Sequence, residues 1–131
     1  MENTVIDWFP PARIYGCKLL ITSKNNMIHC GVGVERTIVA GEYQDGHEDV
    51  VRSNGYVFSK SDRLMNNKQT KVTFALNDIV EMLVDTGQMT LKVSCRDHHV
   101  TMKLTVPRPN DVFRFLVYLW SEGNSVEMVD G

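Results

Sequence analysis

Four side chains able to ligate a metal fall within five residues, Cys95, Asp97, His98 and His99. A zinc ion needs its donors to converge in a tetrahedron. Neighbours on a strand point to opposite faces, so Cys95 and the histidines do not converge, and the group reads as a polar hairpin tip. Gly31-Val32-Gly33 has the spacing of a phosphate-cradling loop, but it lacks a third glycine and opens no helix. Strand curvature accounts for it instead. Nucleophilic catalysis needs a Ser or Cys beside a His and a carboxylate. His29, His47, His98 and His99 are present, but spacing alone brings none of them to a nucleophile. Asp78, Glu81 and Asp85 read as charges on the wet face of one strand. No catalytic residue, metal or cofactor is therefore expected.

The residues left with something to do are apolar. Phe115, Tyr118 and Trp120 lie in a C-terminal run that reads as an amphipathic helix, and Phe115, Val117 and Tyr118 fall off its main stripe. An element apolar nearly all round is either deeply buried or covered by a partner. Trp8 and Phe9 form a second aromatic pair, which could serve the same surface or staple the N-terminus over the core. The segment 55–59 with its flanking loops is a third candidate, a sheet edge to which a peptide could add a strand.

The elements that must position these residues are strands. Met89, Leu91, Val93 and Cys95 alternate with polar residues, and after Arg96-Asp97-His98 the alternation resumes through Val100, Met102, Leu104 and Val106. Period two gives each strand one buried and one wet face, so the pair predicts an antiparallel hairpin. Ile28, Cys30, Val32 and Val34 predict another strand facing the core, after a first over 13–23. Shorter strands are expected over 37–43, 55–59, 71–76 and 79–84, with exposed loops over 44–54 and 60–70. Pro107 and Pro109 stop the sheet, and Asn110 is placed to cap a helix carrying Val112, Phe113, Leu116, Leu119 and Trp120. Residues 1–12 read as an extended lead-in and 124–131 as a flexible acidic tail, all within a single domain over 1–131.

Composition sets the bounds. A chain of 131 residues with 43% hydrophobic and 23% charged residues is ordinary for one soluble domain. A formal net charge of −2 argues against a nucleic-acid partner, which usually meets a basic stripe. Tyr15, Tyr43 and Tyr56, with few cations beside them, are a poor stacking platform for single strands. Cys17, Cys30 and Cys95 are too few and scattered for a disulfide framework, and read as reduced residues of a cytoplasmic or nuclear protein. No segment approaches the roughly 20 apolar residues that span a bilayer.

About seven strands closed by one helix resemble the pleckstrin-homology superfold, especially its GRAM-like branch. The resemblance rests on Phe74-Ala75-Leu76-Asn77-Asp78-Ile79-Val80-Glu81, on the 89–95 and 100–106 strands, and on the 110–120 segment. It covers 71–120 well and 13–59 only by strand count. It implies an α+β, mainly β architecture, a barrel of antiparallel strands capped by a C-terminal helix; a β-grasp or other α+β sandwich is the alternative. The family's lipid-binding members use a basic cluster on the first two strands. Here that cluster reduces to Lys18, Lys24 and Arg36, with His29, Gly31 and Gly33 where a basic pair would stand. One lysine against solvent contributes only about 1 kcal/mol to holding a phosphate. The expected function is therefore a noncatalytic protein- or peptide-interaction module, part of a larger protein or complex. Phe115, Tyr118, Trp120, Trp8 and Phe9 are its candidate partner contacts, and a homo-oligomer is one form the complex could take. Binding to phosphoinositides or acidic membrane through Lys18, Lys24 and Arg36 is the alternative.

Overall fold

Alternation over 89–106 folds as it reads, into the hairpin of β6 (Thr90–Cys95) and β7 (His98–Lys103), with Leu91 opposite Met102 and Val93 opposite Val100. The computed structural model describes residues 13–36 and 47–129. These form two antiparallel sheets packed face to face. The first sheet runs β7-β6-β5-β1-β9, where β5 is Ile79–Asp85, β1 Ile14–Ser23 and β9 Ser125–Met128. The second runs β4-β3-β2-β8, where β4 is Val57–Ser59, β3 Glu48–Arg52, β2 Ile28–Val34 and β8 Phe113–Leu119.

Two inner faces make the core. In the first sheet Leu19, Val80 and Cys95 share one row, and Cys17, Met82, Val93 and Val100 the next. In the second, Val57, Val51, Cys30 and Val117 form a row beside one of Ser59, Asp49, Val32 and Phe115. Every residue of β2 is buried, as expected of a central strand flanked on both edges. Gly31 belongs there for a steric reason. A Cβ at this position would run into the backbone of β3, with the Cα of Val50 only 2.7 Å away. Close strand approach, rather than curvature, explains the glycine. Cys30 and Cys95 lie free in the core, and burial pushes their thiols up to about 12 and about 11.

The barrel and its closing helix are overturned. The 113–119 run is a strand, pairing along its whole length with β2 from Phe113 opposite Val34 to Leu119 opposite Ile28. Phe113, Phe115 and Val117 face the core, whereas Arg114, Leu116 and Tyr118 face the other side of the sheet. What read as residues off a helical stripe is the period-two alternation of a strand whose two faces both carry apolar groups. Aromatic and β-branched side chains favour that pleated conformation. Asn110 caps nothing. Asp111 instead closes the loop before β8, accepting the Arg108 backbone N–H at 3.1 Å and the N–H groups of Arg36 Nε and one Nη at 2.9 and 3.0 Å.

Other boundaries move as well. The expected loop over 44–54 contains β3, whose Val50 and Val51 are wholly buried. The 71–76 segment keeps alternate burial, with Val72 and Phe74 inside, but it forms no strand, its Phe74 donating a single backbone N–H to Ser53 at 3.1 Å. Asn77 there has φ +71°, and Asp78 accepts the backbone N–H of Ala75 at 2.8 Å, so the Phe74–Glu81 match to a pleckstrin-like strand fails. The tail forms β9, paired with β1. The strand expected over 37–43 and the lead-in with Trp8 and Phe9 lie outside the described residues.

Candidate interaction site

Antiparallel strands of alternating direction send their loops to two opposite ends of the sandwich. One end gathers the β1–β2 loop (24–27), the β3–β4 loop (53–56), the turns before β5 (73–78), the β6–β7 tip (96–97) and the β8–β9 loop (120–124). These segments are cross-linked. Asn124, buried, accepts the backbone N–H groups of Asn25 and Asn26 at 2.8 and 3.1 Å and donates to the carbonyl of Met27 at 3.1 Å. Asn77 donates its backbone N–H to Ile21 at 2.8 Å. At the tip, Arg96 meets Asp78 through its Nε at 3.1 Å and an Nη at 2.8 Å. Loops tied in this way present a fixed surface.

That surface contains an open groove of about 560 Å³, with Lys24, Asn26, Asn54 and Arg96 as polar lining and Met27 and Phe74 as apolar lining. Exposed apolar groups share the same end. Trp120 is 53% exposed, Leu76 53%, Ile79 48% and Leu119 41%. Trp120 donates its backbone N–H to Met27 at 3.2 Å, and its ring lies 5.5 Å from that of His29. Burial, with the Arg52 charge beside it, holds His29 down to about 4, so the imidazole is neutral.

The expected contacts are dispersed. Phe115 is turned into the sandwich, where it packs on the core. Tyr118 lies on the opposite face of its sheet, its hydroxyl donating to buried Glu48 at 2.8 Å, and burial raises that carboxyl above the usual range. Trp120 alone of the three stands out from the surface at the loop end. The 55–59 edge is already occupied by the returning 66–70 segment, since Val57 donates its backbone N–H to Lys68 at 2.9 Å and accepts that of Asn67 at 2.8 Å, and Tyr56 bridges Gln69.

The three cations do not form a phosphate site. β1 and β2 belong to different sheets, so no hairpin brings their basic residues together. Lys18 stands on the outer face of the first sheet, 3.9 Å from Glu81. Arg36 is gripped by Asp111 at the opposite end. Only Lys24 lines the groove. The lipid reading loses its geometry along with the fold that implied it.

One polar cluster has the residue types of a hydrolytic triad. Asp49, wholly buried, accepts the hydroxyls of Ser59 and Ser61 at 2.6 and 2.8 Å and the Ser61 backbone N–H at 2.9 Å. His47 Nε2 is 2.9 Å from Ser61 Oγ. Ser61 Oγ also accepts the Thr105 backbone N–H at 3.0 Å, and Asp62 accepts that of Lys103 at 2.9 Å. The network straps the segment after β4 in the second sheet to the end of β7 in the first. Among the described residues no group of three or more acids, histidines and cysteines could hold a metal ion.

Met27, Asn54, Phe74 and Arg96 were not among the sequence candidates, and only Arg96, at a hairpin turn between alternating strands, carried a local signal. Their convergence depends on which loops share an end, which topology decides and local pattern does not.

No family model matches this chain. No curated protein matches it either. Among solved structures, the crystal structure of the SPRY domain of human HERC1 is similar to it, with a TM-score of 0.58 and 14% identity over 89% of this chain and 74% of that one. At that identity the likeness concerns the fold: a SPRY-like β-sandwich, which replaces the pleckstrin-like barrel.

Proposed function

We propose that this chain is a noncatalytic protein- or peptide-binding module, working as part of a larger protein or complex, whose contact surface is the loop end bearing Trp120. The observation that carries the reading is the coincidence, at one cross-linked loop end, of an open groove and four half-exposed apolar side chains, Leu76, Ile79, Leu119 and Trp120. Recognition commonly sits on loops held by a rigid sandwich, and aromatic anchors dominate interface energetics when they fill a partner's pocket. The outer face of the first sheet, beyond Ile79 at its loop end, mixes Lys18, Glu81, Lys92 and Thr101 with the half-buried Leu20 and Leu83.

Site-specific photo-crosslinking tests this directly. A benzophenone amino acid replacing Trp120 in the full-length protein is expected to capture a discrete partner in cells, while the same group replacing Lys92 is not. Equal capture at both positions, or none at position 120, would overturn the reading. A captured second copy of the chain would make the partner a homo-oligomer.

A further inference from the structure

We propose that the loop-end groove takes a peptide segment carrying an acidic side chain beside an apolar one, the carboxylate held by Lys24 and Arg96 and the apolar neighbour seated against Met27 and Phe74; this rests on the reading of the loop end as the contact surface. The charge of the groove opposes that of the chain. The protein carries a formal net charge of −2, yet the groove is lined by two cations and by no Asp or Glu. Lys24 is half-buried in this wall and has no ion-pair partner among the described residues. A lysine in a groove wall without a counter-charge keeps its three N–H donors for an incoming carboxylate. Asn26 and Asn54 add amide donors beside it.

Arg96 supplies an independent argument. It occupies the first position of the two-residue turn between β6 and β7 with φ +58°, in the left-handed region where glycine is at ease and a long side chain is strained. Backbone strain of this kind concentrates where a side chain is needed. Asp78 engages Nε and one Nη on one flank of the guanidinium, which fixes its plane and leaves further N–H donors for a second carboxylate. The side chain remains 60% exposed, so the donors that Asp78 does not take are open to a ligand.

Selection of a phage-displayed random dodecapeptide library on the full chain tests the proposal. The peptides recovered are expected to share an Asp or Glu at one fixed position next to an apolar residue. Lys24→Glu breaks no bond among the described residues, so its thermal melt should match that of the parent. It should nonetheless weaken the best peptide at least about tenfold, and a peptide with Lys in place of the acid should recover binding to it. Enriched peptides without a shared acid, whose binding Trp120→Ala abolishes, would overturn the proposal and leave the module reading standing. Acidic peptides indifferent to Lys24→Glu would overturn it as well. A library yielding no enriched peptide would overturn both.

Discussion

The hydroxyl of Ser61 donates to the carboxylate of Asp49 at 2.8 Å, while His47 Nε2 meets the same hydroxyl oxygen at 2.9 Å. A hydrolytic triad runs the other way, with the acid on the imidazole and the imidazole drawing the proton from the serine. Here the only hydroxyl proton goes to the acid, so the imidazole must donate to the serine oxygen, which also accepts from Thr105. A hydroxyl so committed is a poor nucleophile and a good strap. Ser61 is expected to resist labelling by a fluorophosphonate probe, whereas Asp49→Ala should destabilise the fold by about 3 kcal/mol, because two hydroxyls and an amide lose their acceptor at once. Intact-mass spectrometry checks the first and urea unfolding the second.

Gly31→Ala places a methyl group against the backbone of β3 rather than against a side chain that could rotate away. Relief would require the β2–β3 pair to separate where Gly31 faces Val50, in the middle of a sheet buried along its central strand. A loss of about 3 kcal/mol is expected, with a correspondingly lower urea midpoint and an unchanged m-value.

The neutral state of His29 makes stability depend on acidity. Its pKa is held down to about 4 by burial and by Arg52, against an unfolded value near 6.5. The unfolded chain thus binds a proton over that interval and the folded chain does not. The stability is present in full above about pH 6.5 and is lost as pH falls towards about 4, by up to about 3 kcal/mol. Glu48 acts in the opposite sense, since its raised pKa lets the folded state take up a proton first. His29→Gln should flatten the profile between pH 6.5 and 4 in a series of thermal melts, and a profile as steep as that of the parent would exclude His29 as its source.

Removing residues 124–131 is expected to be costly, although the segment reads as a tail. β9 covers the edge of β1, with Val126 opposite Ile21, and Asn124 makes three hydrogen bonds to the 25–27 loop. A loss of about 3 kcal/mol would lower the melting temperature by roughly 10 °C. It would also loosen the loop end, so peptide binding should fall along with stability.

The difference between what could and could not be read lies in how many faces each strand buries. β6 and β7 carry apolar residues on one face and polar ones on the other, and their alternation is visible in Leu91 to Cys95 and Val100 to Met102, whereas β1 and β5 keep alternate burial although Leu20 and Leu83 stand on the outer face. β8 is apolar on both faces because Leu116 and Tyr118 lie on the side away from the core, which erases period two and leaves a run that fits a helix. β3 begins with Glu48-Asp49, charged residues that mark a loop unless their partners, Tyr118, Ser59 and Ser61, are known. Those partners lie 10 to 70 residues away. The groove was illegible for the same reason: Lys24, Asn54, Phe74 and Arg96 meet only after the two sheets have formed.

Trp120 and Phe115 separate contact from packing, because both read as partner-binding aromatics and the sheet sends them to different places. Phe115 stands on the inner face beside Val32 and belongs to the core, so Phe115→Ala should cost about 3 kcal/mol by cavity formation. Trp120 is 53% exposed and follows the last residue of β8, so Trp120→Ala should stay within about 1 kcal/mol of the parent. Capture by a ligand selected on the parent protein is expected to show the reverse order once each variant is assayed well below its own melting temperature. Trp120→Ala should lose most of the binding and Phe115→Ala little of it. If Phe115→Ala abolished binding while remaining folded, the contact surface would have to include the inner row of β8, and the loop end would not be the site.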